Sequence, residues 1–139
     1  MKPRRRGTPE ADIQRGIVAV LRAVLPPRSI VHHSANEAAG GGAAARKRQA
    51  VLVGMGVHAG FCDLVIISAG RILFLEVKSA TGRLTPAQAA FRDDVQSQGL
   101  PWALVRSVDD ALDALSGFGF RTRIVGASTA SLRNGSGPP

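Results

Sequence analysis

Residues 63–78 read DLVIISAGRILFLEVK and predict the centre of the fold. Two runs rich in β-branched and other apolar residues flank Ala69-Gly70, a pair suited to a two-residue hairpin turn. Both runs are apolar on both faces, which is typical of strands in the centre of a sheet. We therefore predict a central antiparallel hairpin with strands over residues 63–68 and 71–78.

The turn determines which side chains meet across this hairpin. With a two-residue turn, pairing outward from it places Asp63 opposite Glu76, with Cβ atoms about 5 Å apart on one face of the sheet. Lys78 shares that face because it lies two residues beyond Glu76. Two carboxylates that face each other in an apolar sheet repel each other and lose solvation unless a cation lies between them. The sequence therefore predicts a divalent-cation site beside a lysine.

The ligands predicted at the hairpin are all oxygen atoms. They are the carboxylates of Asp63 and Glu76 and the backbone carbonyl of Val77, and we expect no histidine or thiolate within reach. Such ligands suit Mg²⁺ or Mn²⁺ better than zinc. An ion of this kind binds a phosphate oxygen and lowers the pKa of a bound water, while Lys78 would orient that water, help deprotonate it or neutralise the transition state. The pattern thus indicates phosphodiester hydrolysis.

An ion pair is the simpler explanation of Glu76 and Lys78. In that interpretation they form a same-face salt bridge at the end of a strand, and Asp63 merely begins the other strand after a turn. Lysine occurs only at Lys2, Lys47 and Lys78, so the chain uses arginine for most of its positive charge. A lysine inside a β run therefore favours the chemical role.

Glu10 is a candidate third carboxylate. It lies in the first turn of a helix predicted over residues 9–25, on the same stripe as Ile13 and Ile17, which should face the core. An acid on an apolar stripe needs a partner, and a metal ion at the hairpin would be one. The alternative is a first-turn acid that is stabilised by the helix dipole alone.

Gln88 also has two interpretations. Thr85-Pro86-Ala87-Gln88 is a capping box at the start of a helix that ends at Gly99, and this explains the residue without any chemistry. Its side chain could nevertheless reach the predicted site.

The rest of the chain alternates strands and helices. Beyond the hairpin and the helices that contain Glu10 and Gln88, the pattern predicts a strand at 29–33, a Gly/Ala-rich loop at 36–42, a basic helix at 43–53, a strand at 102–106 and a helix at 108–115. This order predicts an α/β domain with a mixed central sheet flanked by helices. We expect it to span residues 8–125, after a flexible basic N-terminus (1–7) and before a disordered tail (126–139).

The chain is strongly basic, with a formal net charge of +8 and a pI near 11.4. This charge favours a polyanionic partner, and Arg46, Lys47 and Arg48 form the candidate nucleic-acid-binding segment. A noncatalytic basic module that binds nucleic acid is therefore the alternative function. Charge indicates a class of partner and does not by itself indicate an activity.

Other functional classes find little support in the sequence. No apolar run approaches the ~20 residues needed to cross a bilayer, so we expect no membrane association. The glycine-rich segments match neither a P-loop nor a dinucleotide-binding fingerprint, so we expect no nucleotide cofactor. Cys62 is the only cysteine and cannot form an internal disulfide, and nothing indicates export. A cytoplasmic protein is the expectation.

Three separated motifs resemble the VRR-NUC domain of the PD-(D/E)xK nuclease superfamily. They are GMGVHAGFCDLVI at 54–66, LEVK at 75–78 and LTPAQ at 84–88, and the resemblance runs from Glu10 to about Leu115. It implies a restriction-endonuclease-like core. It also implies an active site whose members map onto Glu10, Asp63, Glu76, Lys78 and Gln88. The family usually has a proline immediately before the aspartate, where this chain has Cys62. Because the proline shapes the backbone and supplies no ligand, we expect the chemistry to survive its loss.

The resemblance implies a DNA endonuclease that depends on Mg²⁺ or Mn²⁺. Stand-alone members of about this length, often from phages or bacteria, resemble Holliday-junction resolvases and tend to act as homodimers, and larger relatives cut branched or flapped DNA. We therefore expect a bacterial or phage-encoded homodimer that is selective for branched DNA such as Holliday junctions or flaps. Which DNA structure it prefers stays open.

Overall fold

The computed structural model describes residues 8–35 and 42–123. In this part of the chain the elements follow one another as α1 Pro9–Val24, β1 Ile30–His33, α2 Gly42–Gly54, β2 Leu64–Ser68, β3 Arg71–Val77, α3 Pro86–Ser97, β4 Trp102–Val105 and α4 Val108–Gly117. The segments predicted to be flexible or disordered, residues 1–7 and 126–139, lie outside the described residues, as does most of the loop predicted at 36–42.

The strands form one mixed sheet in the order β1-β2-β3-β4. Strands β1, β2 and β3 pair antiparallel, and β4 pairs parallel to β3 because α3 carries the chain back across the sheet. This arrangement confirms the predicted α/β class with a mixed sheet and flanking helices. It also confirms that the hairpin strands β2 and β3 are the central ones.

The hairpin turn forms where the sequence predicts it. Ala69 and Gly70 have φ values of 48° and 78°, the left-handed backbone that a two-residue type I′ turn requires. The strands pair in the predicted register. Each regular strand is one residue shorter than predicted at the end away from the turn, so Asp63 precedes β2 and Lys78 follows β3.

One face of the sheet packs against α1 and α4. Alternate residues of β2 and β3 point to this side, and they form the main core together with residues of the two helices: Leu64, Ile66, Leu73, Leu75, Val77, Ile17, Leu21, Ala111 and Leu115. The helix α1 begins as predicted, because the Thr8 side chain accepts a hydrogen bond from the Ala11 N–H at 3.2 Å and Pro9 occupies the first turn. The helix ends at Val24, one residue before the predicted end.

The opposite face of the sheet packs against α3 through a smaller cluster. Its buried members are Cys62, Phe91, Val95 and Trp102. Because side chains alternate along a strand, Glu76 lies on this side of β3, next to the second core. None of the described helices is both long enough and apolar enough to cross a membrane.

Candidate active site

The candidate site lies where β2 begins and β3 ends. Regular pairing of the two strands stops at Leu64 and Leu75, and Asp63 and Glu76 occupy the next position in the same register. Asp63 Oδ2 accepts a hydrogen bond from the Val77 N–H at 2.8 Å, so its side chain reaches across to the end of β3. The two-residue turn fixes the register of the hairpin, and this register brings Asp63 and Glu76 together just beyond the last regular pair of β2 and β3.

Glu76 is a buried carboxylate with one unsatisfied oxygen. Its relative exposure is 2%, and its Oε1 atom accepts a hydrogen bond from Gln88 Nε2 at 3.1 Å. Among the described residues, no group donates a hydrogen bond to its buried Oε2 atom. A buried carboxylate oxygen without a partner costs on the order of several kcal/mol, and a cation bound to it removes that cost. The residues present therefore fit a hard divalent cation at this oxygen.

Burial raises the pKa of Glu76 to about 9, and its acidic neighbours contribute. After burial, the largest causes are a hydrogen bond with the Asp63 carboxyl group and the negative charge of Asp63; Lys78 lowers the pKa and Glu10 raises it. Without a cation, Glu76 therefore keeps its proton at neutral pH, hydrogen-bonded to the Asp63 carboxyl group. Binding of a divalent cation would favour the ionised form and release that proton.

Lys78 is buried beside this carboxylate. Its relative exposure is 7%, and its Nζ atom lies 3.8 Å from Glu76 Oε1. The salt bridge of the simpler interpretation is therefore present, but its length exceeds that of a charge-assisted hydrogen bond. The ammonium thus lies beside Glu76 with donors left for a phosphate or a water.

Glu10 reaches the site from the first turn of α1. A Cβ atom at Gly82 would lie 3.0 Å from Glu10 Oε1 and 3.4 Å from Lys78 Cδ, so the glutamate extends to the loop after β3 and lies beside the lysine stem. Its charge also acts on Glu76. Within residues 8–35 and 42–123, however, no three His, Cys, Asp or Glu side chains are grouped closely enough to hold a metal by themselves. Glu10 therefore lies at the edge of the acidic pair, and its role as a ligand stays a prediction.

Gln88 both caps α3 and contacts the candidate site. Its Oε1 atom accepts the Thr85 N–H at 2.9 Å and its own N–H donates to Thr85 Oγ1 at 3.2 Å, which completes the capping box of α3. The Nε2 atom of the same amide donates to Glu76. One side chain therefore starts the helix and orients a carboxylate of the site.

One histidine contacts the backbone of Asp63, and the expectation that no histidine serves as a ligand stays a prediction. His33 Nδ1 lies 3.1 Å from the backbone carbonyl oxygen of Asp63. Cys62 does not supply a thiolate at neutral pH, because burial, together with the charges of Glu76 and Asp63, raises the pKa of its thiol to about 12. The cysteine is a neutral thiol that donates to the Leu64 carbonyl at 3.3 Å.

Two further residues hold the loops of the site, and sequence reasoning did not assign them there. Arg106 Nη1 donates to the carbonyls of Ser79 and Gly82, in the loop that follows Lys78. Gly60 has φ 76°, and a Cβ atom there would lie 2.2 Å from the Ala87 carbonyl oxygen. Glycine permits the close backbone approach at residue 60, whereas nothing local to Arg106 indicates its contacts.

The predicted basic helix is present as α2, Gly42–Gly54. Arg46, Lys47 and Arg48 are all exposed on it, and Ala45 is its buried residue. Exposed cations on a surface helix are compatible with contacts to phosphates. Their role in binding nucleic acid stays a prediction.

Comparison with known proteins identifies a family. A model of the VRR-NUC domain matches residues 29–109 of the chain, which is more than half of it. One solved structure, described as a VRR-NUC domain protein, is 21% identical with a TM-score of 0.60, and the match covers 81% of this chain and 89% of that chain. A second, described as a VRR-NUC domain, is 21% identical with a TM-score of 0.53 over 78% of this chain and 95% of that chain. No curated protein sequence gives a significant match. The two structures show the fold, and the family is shown by the family model.

Proposed function

This chain belongs to the VRR-NUC domain family, a family of nuclease-type domains, and on that premise we propose that it is a metal-dependent DNA endonuclease. The observation that carries the proposal is the buried Oε2 atom of Glu76, which lacks a hydrogen-bond donor in the described part of the chain. It belongs to a carboxylate that has Asp63 and Lys78 as neighbours. Two carboxyl groups packed together at a buried position must share either a proton or a cation, and the lysine beside them favours a chemical role.

Asp63, Glu76 and the Val77 carbonyl would hold the ion, with Glu10 at the edge. All four donors are oxygens, and the thiol of Cys62 is neutral, which favours Mg²⁺ or Mn²⁺ over zinc. When bound, the ion supplies a Lewis acid for a phosphate oxygen and a lowered pKa for a coordinated water.

The protein's own residues prepare the site for that chemistry. The Val77 N–H fixes one oxygen of Asp63, and Gln88 occupies Oε1 of Glu76, so each acid has one oxygen restrained and the other available. Lys78 would orient the attacking water or neutralise charge that develops on the scissile phosphate. Its burial keeps the ammonium poorly solvated, which strengthens that electrostatic effect.

The test is cleavage of labelled DNA with Mg²⁺ or Mn²⁺ by the wild type and by Glu76→Gln and Lys78→Met. Each substitution removes a charge with little change of shape, and we expect each to lower kcat by about 100-fold or more. Asp94→Asn is a matched control, because Asp94 is an exposed acid on α3 whose loss should leave cleavage unchanged. Cleavage by Glu76→Gln at the wild-type rate would refute the proposal.

We further propose that the substrate is branched DNA and that the active form is a homodimer. Ile30 and Ile67 face each other across β1 and β2 and are 53% and 44% exposed, so a second copy could cover them. Sedimentation should give a dimer that Ile67→Asp dissociates. Four-way junctions and flaps should be cut faster than linear duplex, and equal rates would contradict the selectivity.

A noncatalytic nucleic-acid-binding module is the second candidate. The exposed cations of α2 and the net charge of +8 favour it. It predicts salt-sensitive DNA binding that needs no metal and no cutting with any divalent ion. Cleavage that disappears in Lys78→Met while DNA binding persists would exclude it.

A further inference from the structure

His33 connects three elements of the fold through one ring nitrogen. It is the last residue of the edge strand β1, and its Nδ1 atom lies 3.1 Å from the Asp63 carbonyl oxygen and 2.9 Å from Gln14 Nε2. The neighbouring Ser34 N–H donates to the same carbonyl at 2.9 Å. The Asp63 carbonyl is therefore contacted from β1 by the Ser34 N–H and by the His33 ring, which also contacts α1.

As the atoms are assigned, the two contacts make opposite demands on Nδ1, because Gln14 Nε2 can only donate to it and the Asp63 carbonyl can only accept from it. The Asp63 carbonyl can only accept a hydrogen bond, so Nδ1 must carry a hydrogen to make a favourable contact with it. With a hydrogen on Nδ1, Gln14 would present its amide oxygen, which a half-turn of the amide places at the position assigned to Nε2. With that orientation His33 donates to both partners, and neither contact is repulsive.

These contacts join the carriers of two acidic residues. Gln14 lies one helical turn after Glu10 on α1, and Asp63 directs its carboxylate to the Val77 N–H. We propose that His33 is a positioning residue, whose Nδ1 hydrogen sets the placement of Asp63 relative to Glu10 on α1. The inference rests on the proposed function for its catalytic consequence, whereas the positioning itself can be measured without metal or DNA.

The location of His33 separates this role from general stabilisation. The ring is exposed and lies outside both core clusters, so removing it deletes hydrogen bonds and leaves the core intact. His32, the preceding residue of the same strand, is also exposed and offers a matched control. A loss that is confined to His33 variants therefore cannot come from damage to β1 as a strand.

Three substitutions of His33 distinguish the two ring nitrogens. Asparagine places an amide N–H where Nδ1 stands, glutamine places one where Nε2 stands, and alanine places none. We expect His33→Asn to resemble the wild type, together with His32→Ala. His33→Gln and His33→Ala should lose the positioning. Rescue by asparagine and not by glutamine is the result that a general structural role would not give.

The first measurement is amide hydrogen exchange of Val77 by NMR in metal-free protein. Its N–H donates to Asp63 Oδ2, so we expect its exchange to be faster in His33→Ala and His33→Gln while the melting temperature stays close to that of the wild type. The second is Mn²⁺ binding by calorimetry, with about 10- to 100-fold weaker affinity expected in the same two variants. The third is DNA cleavage, in which kcat should fall with KM unchanged.

Wild-type behaviour of His33→Ala, or an equal loss in His33→Asn and His33→Ala, would overturn the inference. Failure of the proposed function looks different. In that case the wild type neither binds Mn²⁺ nor cuts DNA, while the exchange of Val77 still separates the asparagine variant from the glutamine and alanine variants, and the positioning role stands alone.

Discussion

Replacing Glu76 by glutamine should stabilise the metal-free protein, increasingly so as pH rises. The pKa of this carboxyl group is raised from 4.5 to about 9, first by burial and then by Asp63. Above pH 4.5 the unfolded chain loses a proton that the native protein keeps, so the free energy of unfolding falls with pH up to about pH 9. At about 1.4 kcal/mol per pH unit, the loss by pH 7 is on the order of 3 kcal/mol. Glutamine has no proton to lose, so the free energy of unfolding of the variant does not decline with pH in this way.

The geometry allows the glutamine variant to fold without new conflict. Its amide oxygen can still accept from Gln88, and its amide nitrogen can donate to the Asp63 carboxylate where the wild type has two acids. The variant therefore keeps the contacts with Gln88 and Asp63 through a group that has no proton to lose. This is the opposite of what the loss of an ordinary buried ion pair would do, since breaking one leaves a buried charge uncompensated.

The assay is urea unfolding at pH 5, 7 and 8.5 with a chelator present, for the wild type, Glu76→Gln and the exposed control Asp94→Asn. We expect the gap between wild type and Glu76→Gln to widen from pH 5 to pH 8.5. Added Mn²⁺ should stabilise the wild type and leave Glu76→Gln nearly unchanged, because only the carboxylate binds the ion well. A gap that does not vary with pH would refute the assignment of a raised pKa to this residue.

Other substitutions test how the loops and α3 hold the site. Gly60→Ala should lower the free energy of unfolding by roughly 1–3 kcal/mol and slow cleavage, since its Cβ would collide with the first turn of α3. Gly56→Ala is the control for backbone strain alone, because Gly56 has φ 107° and no atom lies within 4 Å of a Cβ there. Gln88→Glu should keep the melting temperature within a few degrees and abolish cleavage, because a glutamate can still accept from the Thr85 N–H but has no donor for the buried acid. Arg106→Met should speed amide exchange in the loop after β3 and lower kcat, and unchanged exchange would show that its two hydrogen bonds do not hold that loop.

The sequence predicts the hairpin well because its geometry is local. A two-residue turn at Ala69-Gly70 leaves one register, and that register places Asp63 beside Glu76 wherever the rest of the chain lies. The starts of the helices were equally predictable from the sequence, since an N-cap and a proline at the first turn depend on a few adjacent residues. The ends of β2 and β3 were each misplaced by one residue: Asp63 precedes β2, where its carboxylate accepts the Val77 N–H, and Lys78 follows β3, although its N–H still donates to Val105 of β4.

The contacts of His33 and Arg106 could not be predicted because they depend on pairing between distant segments. His33 meets Asp63 only because β1 pairs with β2, and the sequence contains no turn that sets this register. Arg106 reaches the loop after β3 only because β4 lies parallel to β3 after a helical crossover. An arginine after a strand or a histidine at a strand end is compatible with many folds, so residue type alone carries no such information.

Each acid of the candidate site is held by a different part of the fold, and this explains why one oxygen remains without a donor. The carbonyl of Asp63 is bound from β1 and its carboxylate from β3, and Gln88 on α3 occupies one oxygen of Glu76. Among the described residues, Trp102 Nε1 is the only other buried side-chain polar atom without a hydrogen-bond partner. Donors fixed on three elements leave the carboxylates little freedom to turn toward other partners. A cation bound at that oxygen would therefore find its ligands already oriented, which lowers the cost of reorganisation during catalysis.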